Sequence, residues 1–239
     1  VLITVIPTPF FGANCIVLQP DAEANVVVVD PSAGVCDQIR GALDRADAQV
    51  GAVLCTHGHP DHVWDAHEVA SWAPDAPAPV WIPGPDRYRM DDPMSYLPMK
   101  PSGMDLTWHK PEDLRDVPSD TFEIQPGIWL QTLPAPGHTE GSALFLGECD
   151  VNIADHEGTI LWQHDDPIPW ALSADVIFAG SVGRTDLPGG DERQMKHTLR
   201  TMANAIDPRT VMIPGHGPLT TWAHELQTNQ YVARARREG

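Results

Sequence analysis

Thr56-His57-Gly58-His59-Pro60-Asp61-His62 puts three imidazoles and one carboxylate into positions 57–62, directly after the apolar run VGAVLC at residues 50–55. Gly58 permits a tight backbone path there. Pro60 suits the first turn of a helix, where its missing N–H costs nothing. His57 and His59 are therefore expected on a loop at the carboxyl end of a strand, with Asp61 and His62 in the opening turn of a helix. In an open sheet that end of a strand is a usual place for a ligand. Imidazole nitrogens and carboxylate oxygens are donors that Zn²⁺ and similar metals prefer. A single histidine would be unremarkable, but four donors at this spacing point to a metal.

One loop cannot close two metal sites, and three further donors lie downstream. Pro136-Gly137-His138-Thr139 sets His138 in a turn between two strand-like runs, and Pro214-Gly215-His216-Gly217-Pro218 follows the run TVMI. Asp175 opens the run DVIFAG, and a carboxylate at a strand edge can bridge two cations. Glycine beside each histidine lets the backbone bend so that the rings face a shared point.

Around these motifs the chain alternates short Val- and Ile-rich runs with helical patterns. NCIVLQ (14–19), NVVVVD (25–30), VGAVLCT (50–56), PVWIP (79–83), IWLQTL (128–133), SALFLG (142–147), ADVIFAG (174–180) and TVMIP (210–214) read as strands. Apolar residues at three-to-four spacing predict helices over 35–46, 61–72 and 192–206, with a terminal helix over 219–237. The interspersed order predicts one mixed α/β domain over residues 1–239. Two irregular excursions are expected, at about 84–120 and 148–173, the second as a lid over the site.

The chain has 239 residues, enough to bury a core without staples, and no apolar stretch long enough to cross a bilayer. Its first residues lack the basic start of a signal peptide and carry Pro7 and Pro9. Cys15, Cys36, Cys55 and Cys149 are widely spaced and read as small hydrophobes in a reducing compartment, so a cytoplasmic location is expected. Fifteen Lys+Arg against 33 Asp+Glu give a formal charge of −18. A field of that sign repels polyanions and argues against a nucleic-acid partner; a small-molecule substrate and no membrane partner are expected. The oligomeric state is left open, a homodimer being compatible with the sequence.

The four blocks in this order resemble the signature of the metallo-β-lactamase superfamily. The stretch Gly183-Arg184-Thr185-Asp186-Leu187-Pro188-Gly189-Gly190 is similar to the glyoxalase II-like, or hydroxyacylglutathione hydrolase-like, branch. The likeness begins at Gly12-Ala13-Asn14-Cys15 and the strand ending Asp30-Pro31, and it covers nearly the whole chain. It implies an αββα sandwich of two facing mixed β-sheets flanked by helices. It also implies two divalent metal ions, zinc with iron or manganese as alternatives. His57, His59 and His138 would hold the first, Asp61, His62 and His216 the second, with Asp175 bridging. The implied reaction is hydrolysis of a small thiol's thioester through a metal-bridging hydroxide, with Asp61 and Asp175 as the catalytic carboxylates. A thiolate leaves with little protonation, so no serine or cysteine nucleophile is required.

Some positions depart from that pattern. The helical domain that follows in full glyoxalase II is replaced by a helix-length tail, and Ala174 stands where glycine is expected before the bridging Asp. Arg184 is a candidate to anchor a substrate carboxylate or to pin its own turn. His156 and His164, in the 148–173 segment, are weaker candidates to lie near the site. His67, His109, His197 and His224 read as ordinary histidines. Competing activities are a persulfide dioxygenase with one iron on His57, His138 and Asp175, and a lactonase or β-lactamase. A nuclease is disfavoured by the charge.

Overall fold

The structure is a computed structural model and describes residues 1–9, 11–20, 25–97, 107–149, 151–164 and 167–238. The first half of the chain runs β1 (Leu2–Pro7), β2 (Asn14–Gln19), β3 (Asn25–Val29), α1 (Cys36–Ala46), β4 (Gln49–Leu54), α2 (Pro60–Val63), α3 (Ala66–Ala70) and β5 (Val80–Ile82). Two 3-10 helices, Gly84–Asp91 and Pro93–Tyr96, lead to β6 (Leu114–Asp116), β7 (Thr121–Gln125), β8 (Ile128–Pro134) and β9 (Ala143–Cys149). Then come β10 (Asn152–Asp155), β11 (Ile160–Gln163), β12 (Ile168–Ala174), β13 (Ile177–Phe178), β14 (Ser181–Val182) and α4 (Glu192–Ala205). The chain closes with β15 (Val211–Pro214), β16 (Thr220–Thr221), α5 (Trp222–Thr228) and α6 (Gln230–Arg237).

Two mixed sheets face each other, in the orders β11-β10-β1-β2-β3-β4-β5-β6 and β16-β15-β12-β9-β8-β7. Period-two alternation explains the layering. Ile16 and Leu18 of β2, with Val27 and Val29 of β3, enter the layer between the sheets, where Phe122, Leu130, Phe145, Trp170 and Ile213 meet them. Their neighbours Cys15, Val17, Val26 and Val28 point outward, under Ile39 and Leu43 of α1 and Val69 of α3. On the second sheet, Leu144, Ala171 and Met212 lie under Met195 and Leu199 of α4 and Val232 of α6. This is the expected αββα order. A run such as NVVVV, apolar at every position, suits a strand buried on both faces.

Several elements differ from expectation for identifiable reasons. The predicted helix over 61–72 is two helices, because the Asp65 amide donates to Pro31 O at 2.9 Å instead of continuing the helical ladder. The tail is likewise two helices. Asn229 is extended (φ −74°, ψ 114°), and its side chain caps α6 through the amides of Tyr231 and Val232. The segment 148–173 is no lid: β10 pairs with β1, β11 pairs with β10, and together they widen the first sheet. Residues 150 and 165–166 of that segment lie outside the described residues, as do 98–106 of the excursion at 84–120. What is described of that excursion holds the two 3-10 helices and β6, the rest being irregular.

Asp175 follows a strand rather than opening one. β12 was obscured by Pro169, which disfavours a central strand. Pro169 pairs only with Glu148 of β9, since pairing with β15 starts at Trp170.

Ala174 occupies the left-handed region, at φ 47°. A Cβ there costs about 1–2 kcal/mol, part of which glycine returns as unfolded-state entropy. Ala174→Gly is expected to raise the unfolding free energy by up to about 1 kcal/mol. Urea denaturation of the metal-free proteins checks this, and a loss of stability would refute it.

Candidate metal centre

All seven predicted donors meet at one edge of the sandwich. His57 and His59 lie on the loop after β4, and His59 is the N-cap of α2, which Pro60 opens as expected. Asp61 and His62 stand on α2, His138 in the β8–β9 turn, Asp175 just past β12 and His216 just past β15. The last turn is tied to β2: the Asn14 amide donates to Gly215 O at 2.7 Å, and its side-chain nitrogen to the carbonyls of Pro214 and Gly217, each at 2.9 Å.

The donor atoms converge in two sets. His57, His59 and His138 form one, Asp61, His62 and His216 another, and Asp175 joins His57 and His62 in a third grouping; the donor atoms of each lie within 4.8 Å of one another. In the first set His59 Nδ1 lies 3.2 Å from His57 Nε2 and 2.8 Å from His138 Nε2. In the second, His62 Nε2 is 3.3 Å from His216 Nε2. Asp175 spans both. Its Oδ1 is 3.4 Å from His62 Nε2, and its Oδ2 is 3.5 Å from His138 Nε2 and 3.4 Å from His216 Nε2.

The opposite ring nitrogens are held from behind. His62 Nδ1 lies 2.8 Å from Asp30 Oδ2, His138 Nδ1 is 2.8 Å from Arg184 O, and His57 Nδ1 is 3.1 Å from Thr56 Oγ1. Partners of this kind fix ring orientation and tautomer in metal sites. Asp175 Oδ1 is buried without a hydrogen-bond partner, as is His59 Nε2. Inward-facing ring nitrogens at hydrogen-bond spacing, with an unsatisfied carboxylate oxygen beside them, fit divalent cations with N and O preference. Gly137 and Gly217 bend as expected, at φ 141° and 77°, whereas Gly58 and Gly215 serve by leaving room. A Cβ on Gly58 would sit 2.8 Å from Arg89 Cβ, and one on Gly215 would strike Asp175 Oδ1.

Burial and charge split the histidines into two kinds. Burial, then the neighbouring imidazoles, pushes His57 well below its usual range; burial and His138 bring His59 to about 3. Burial also opposes charge on His62, yet the carboxylates of Asp175, Asp30 and Asp61 raise it to about 9. At His216 burial is again outweighed, by hydrogen bonds and charge from Asp175 and Asp61, which raise it to about 10. Despite burial, the facing histidines hold Asp61 and Asp175 below the usual carboxylate range.

A cation must therefore displace protons from His62 and His216 but none from His57 or His59. Affinity of the second set is expected to rise with pH up to about 9–10, with up to about two protons released per ion near neutrality. Calorimetry in buffers of different ionisation enthalpy measures this, and the absence of proton release would refute it. The same linkage acts on the metal-free fold. Stability from the two raised histidines is fully present below about pH 6.5 and is lost as pH rises through about 9–10. The lowered Asp61 and Asp175 contribute above about pH 4 and less in acid.

Two supporting residues escaped the sequence reading. Asp30, 1% exposed, accepts from the Thr56 amide and hydroxyl, both at 2.7 Å, besides touching His62. Asp86, fully buried, accepts from Gly58 N at 2.8 Å, Thr139 Oγ1 at 2.7 Å and Gly141 N at 2.7 Å, joining the two loops that carry the first donor set. Asp30 directly follows β3, on the same edge as the donors, which was the available signal; Asp86 lies within the first 3-10 helix, where no such signal stood. Arg184 donates to Asp186 through Nε (2.6 Å) and Nη2 (2.7 Å). His156 turns toward α1, where its carbonyl accepts from Arg45. Cys15 and Cys55 are buried free thiols, and Cys36 is a half-buried one that donates to Asp65.

An αββα sandwich with this donor set at its edge defines a metallo-hydrolase class, and comparison with known proteins agrees. The profile described as "Metallo-beta-lactamase superfamily" matches residues 8–150, and the chain belongs to that superfamily. An uncharacterized protein of Mycobacterium tuberculosis is 29% identical over 97% of both chains. Hydroxyacylglutathione hydrolase GloC of Haemophilus influenzae is 26% identical over 96% of this chain and 97% of its own. Among solved structures, the BLEG-1 B3 metallo-beta-lactamase superposes with a TM-score of 0.76 at 26% identity, covering 96% of this chain and 99% of that one. Among the described residues, no helix is long and apolar enough to cross a membrane.

Proposed function

We propose that the protein is a metal-dependent hydrolase that cleaves the thioester of a small thiol, in the manner of hydroxyacylglutathione hydrolases. The observation that carries the reading is the pair of donor sets spanned by Asp175. His57, His59 and His138 would hold one cation and Asp61, His62 and His216 a second, with Asp175 available to both. Two such ions supply Lewis acidity toward a carbonyl and an activated water. Asp30, Thr56 and the Arg184 carbonyl hold the imidazoles in place from behind. A thiolate leaves without a dedicated acid, so the reaction asks for no further acid beyond the metal donors. The full-length similarity to GloC supports the thioester, and the charge of −18 favours a small molecule over nucleic acid.

Metal analysis of the purified protein, paired with thiol release from a thioester panel that includes S-lactoylglutathione, tests this. About two metals per chain with thiol release is the expected result. One iron per chain, oxygen uptake on a thiol persulfide and no thiol release would replace the hydrolase with a dioxygenase. The similarity to the BLEG-1 lactamase favours a second reading, β-lactam hydrolysis, which a chromogenic cephalosporin tests in the same preparation.

A further inference from the structure

The donor set opens onto a cleft of about 470 Å³, a volume suited to a small molecule. Beyond the donors its described walls are Phe11, Leu97, Phe178 and Leu187, all apolar, with Gly183 and Arg184. Phe11 stands 54% exposed on the β1–β2 loop, so it offers its ring to the cleft rather than to the core. Phe178 meets His216 edge-on, with centroids 5.8 Å apart. The cleft has one cation among its described walls, Arg184, and Asp186 already grips it through two hydrogen bonds. A hollow that shares Gly183 and Arg184 with the cleft adds Lys196 and Arg234. Both are also paired, Lys196 with Glu192 and Glu238, and Arg234 with Glu238.

A glutathione thioester would bring two carboxylates to a cleft whose described walls hold no cation without a carboxylate partner, on a protein of charge −18. Resting on the thioesterase reading, we infer that the substrate is an uncharged thioester whose scissile bond is flanked by an apolar group. That group lies against Phe11 and Leu187, and removing it from water drives binding. Arg184 pins the Gly-Arg-Thr-Asp turn and, through its carbonyl, orients His138.

Three thioesters separate the possibilities: S-hexanoyl-N-acetylcysteamine, S-acetyl-N-acetylcysteamine and S-lactoylglutathione. The expected kcat/KM falls in that order, the hexanoyl ester leading lactoylglutathione by about tenfold or more. Phe11→Ala is expected to retain its metal and to lose about tenfold more on the hexanoyl than on the acetyl ester, chiefly in KM. Calorimetry gives a readout apart from turnover: the thioether S-hexyl-N-acetylcysteamine should bind more tightly than S-methylglutathione. Preference for lactoylglutathione, or tighter binding of S-methylglutathione, would overturn this inference and leave the thioesterase standing. Hydrolysis of none of the three would overturn both.

Discussion

His59→Ala is expected to abolish tight metal binding at the first donor set while leaving the fold in place. His59 Nδ1 lies within 3.2 Å of His57 Nε2 and 2.8 Å of His138 Nε2, so truncation leaves that set with two donors. Loss of a supporting hydrogen bond behind a ligand costs 10–100-fold in affinity, and loss of a ligand should exceed about 100-fold. Activity should fall with it, on the order of 1,000-fold, or about 4 kcal/mol of barrier. The scaffold loses little, because His59 Nε2 has no hydrogen-bond partner and burial keeps the ring neutral, at about 3. His62→Ala would be less clean, since it also strips Asp30 of a partner at 2.8 Å. Metal analysis after dialysis, a thioesterase assay and the metal-free urea midpoint read the three effects separately. Full metal occupancy with full activity in His59→Ala would overturn the donor assignment.

How far these residues could be read in advance followed the chemistry of each. Donor residues announce themselves, because histidine and aspartate at H-x-H-x-D-H spacing are hard to explain otherwise. Strands buried on both faces, such as β3 and β15, were equally plain as unbroken apolar runs. What escaped depended on partners distant in sequence. The β10–β11 hairpin carries exposed Ile160 and Leu161, and only its parallel pairing with β1 makes it part of a sheet. The break between α2 and α3 is set by a hydrogen bond from Asp65 to Pro31, across more than thirty residues. Asp86 looked like one more acidic residue in a Pro- and Met-rich excursion. Nothing local shows that Gly58, Thr139 and Gly141 all donate to it. Its consequence is nonetheless the largest stability effect expected in this protein.

Asp86→Ala is expected to cost about 3–5 kcal/mol, the range for removing one partner of a buried ion pair. Arg89 Nε lies 3.4 Å from Asp86 Oδ1, and both side chains are fully buried. Arg89 would keep Glu140 and the Pro188 carbonyl through Nη2, and the Tyr96 ring 4.7 Å from its guanidinium. Its Nε and Nη1, already without hydrogen bonds, would lose the fully buried one of the two carboxylates on this guanidinium, leaving the part-exposed Glu140 as its counter-charge. Two buried backbone amides, of Gly58 and Gly141, would lose their acceptor at the same time. Asp86→Asn tests whether charge or geometry matters more. Its amide can still accept, but its NH₂ must face an N–H donor, so a loss of about 2 kcal/mol or more is expected. Urea denaturation of metal-free protein isolates this cost from metal-linked stabilisation. The His57–His59 loop and the His138 turn are joined through Asp86, so the variants should also bind their first metal more weakly. A stability loss under about 1 kcal/mol in Asp86→Ala, small even for an ordinary buried contact, would show that Glu140 alone suffices as the counter-charge of Arg89 and that the two loops hold their places without Asp86.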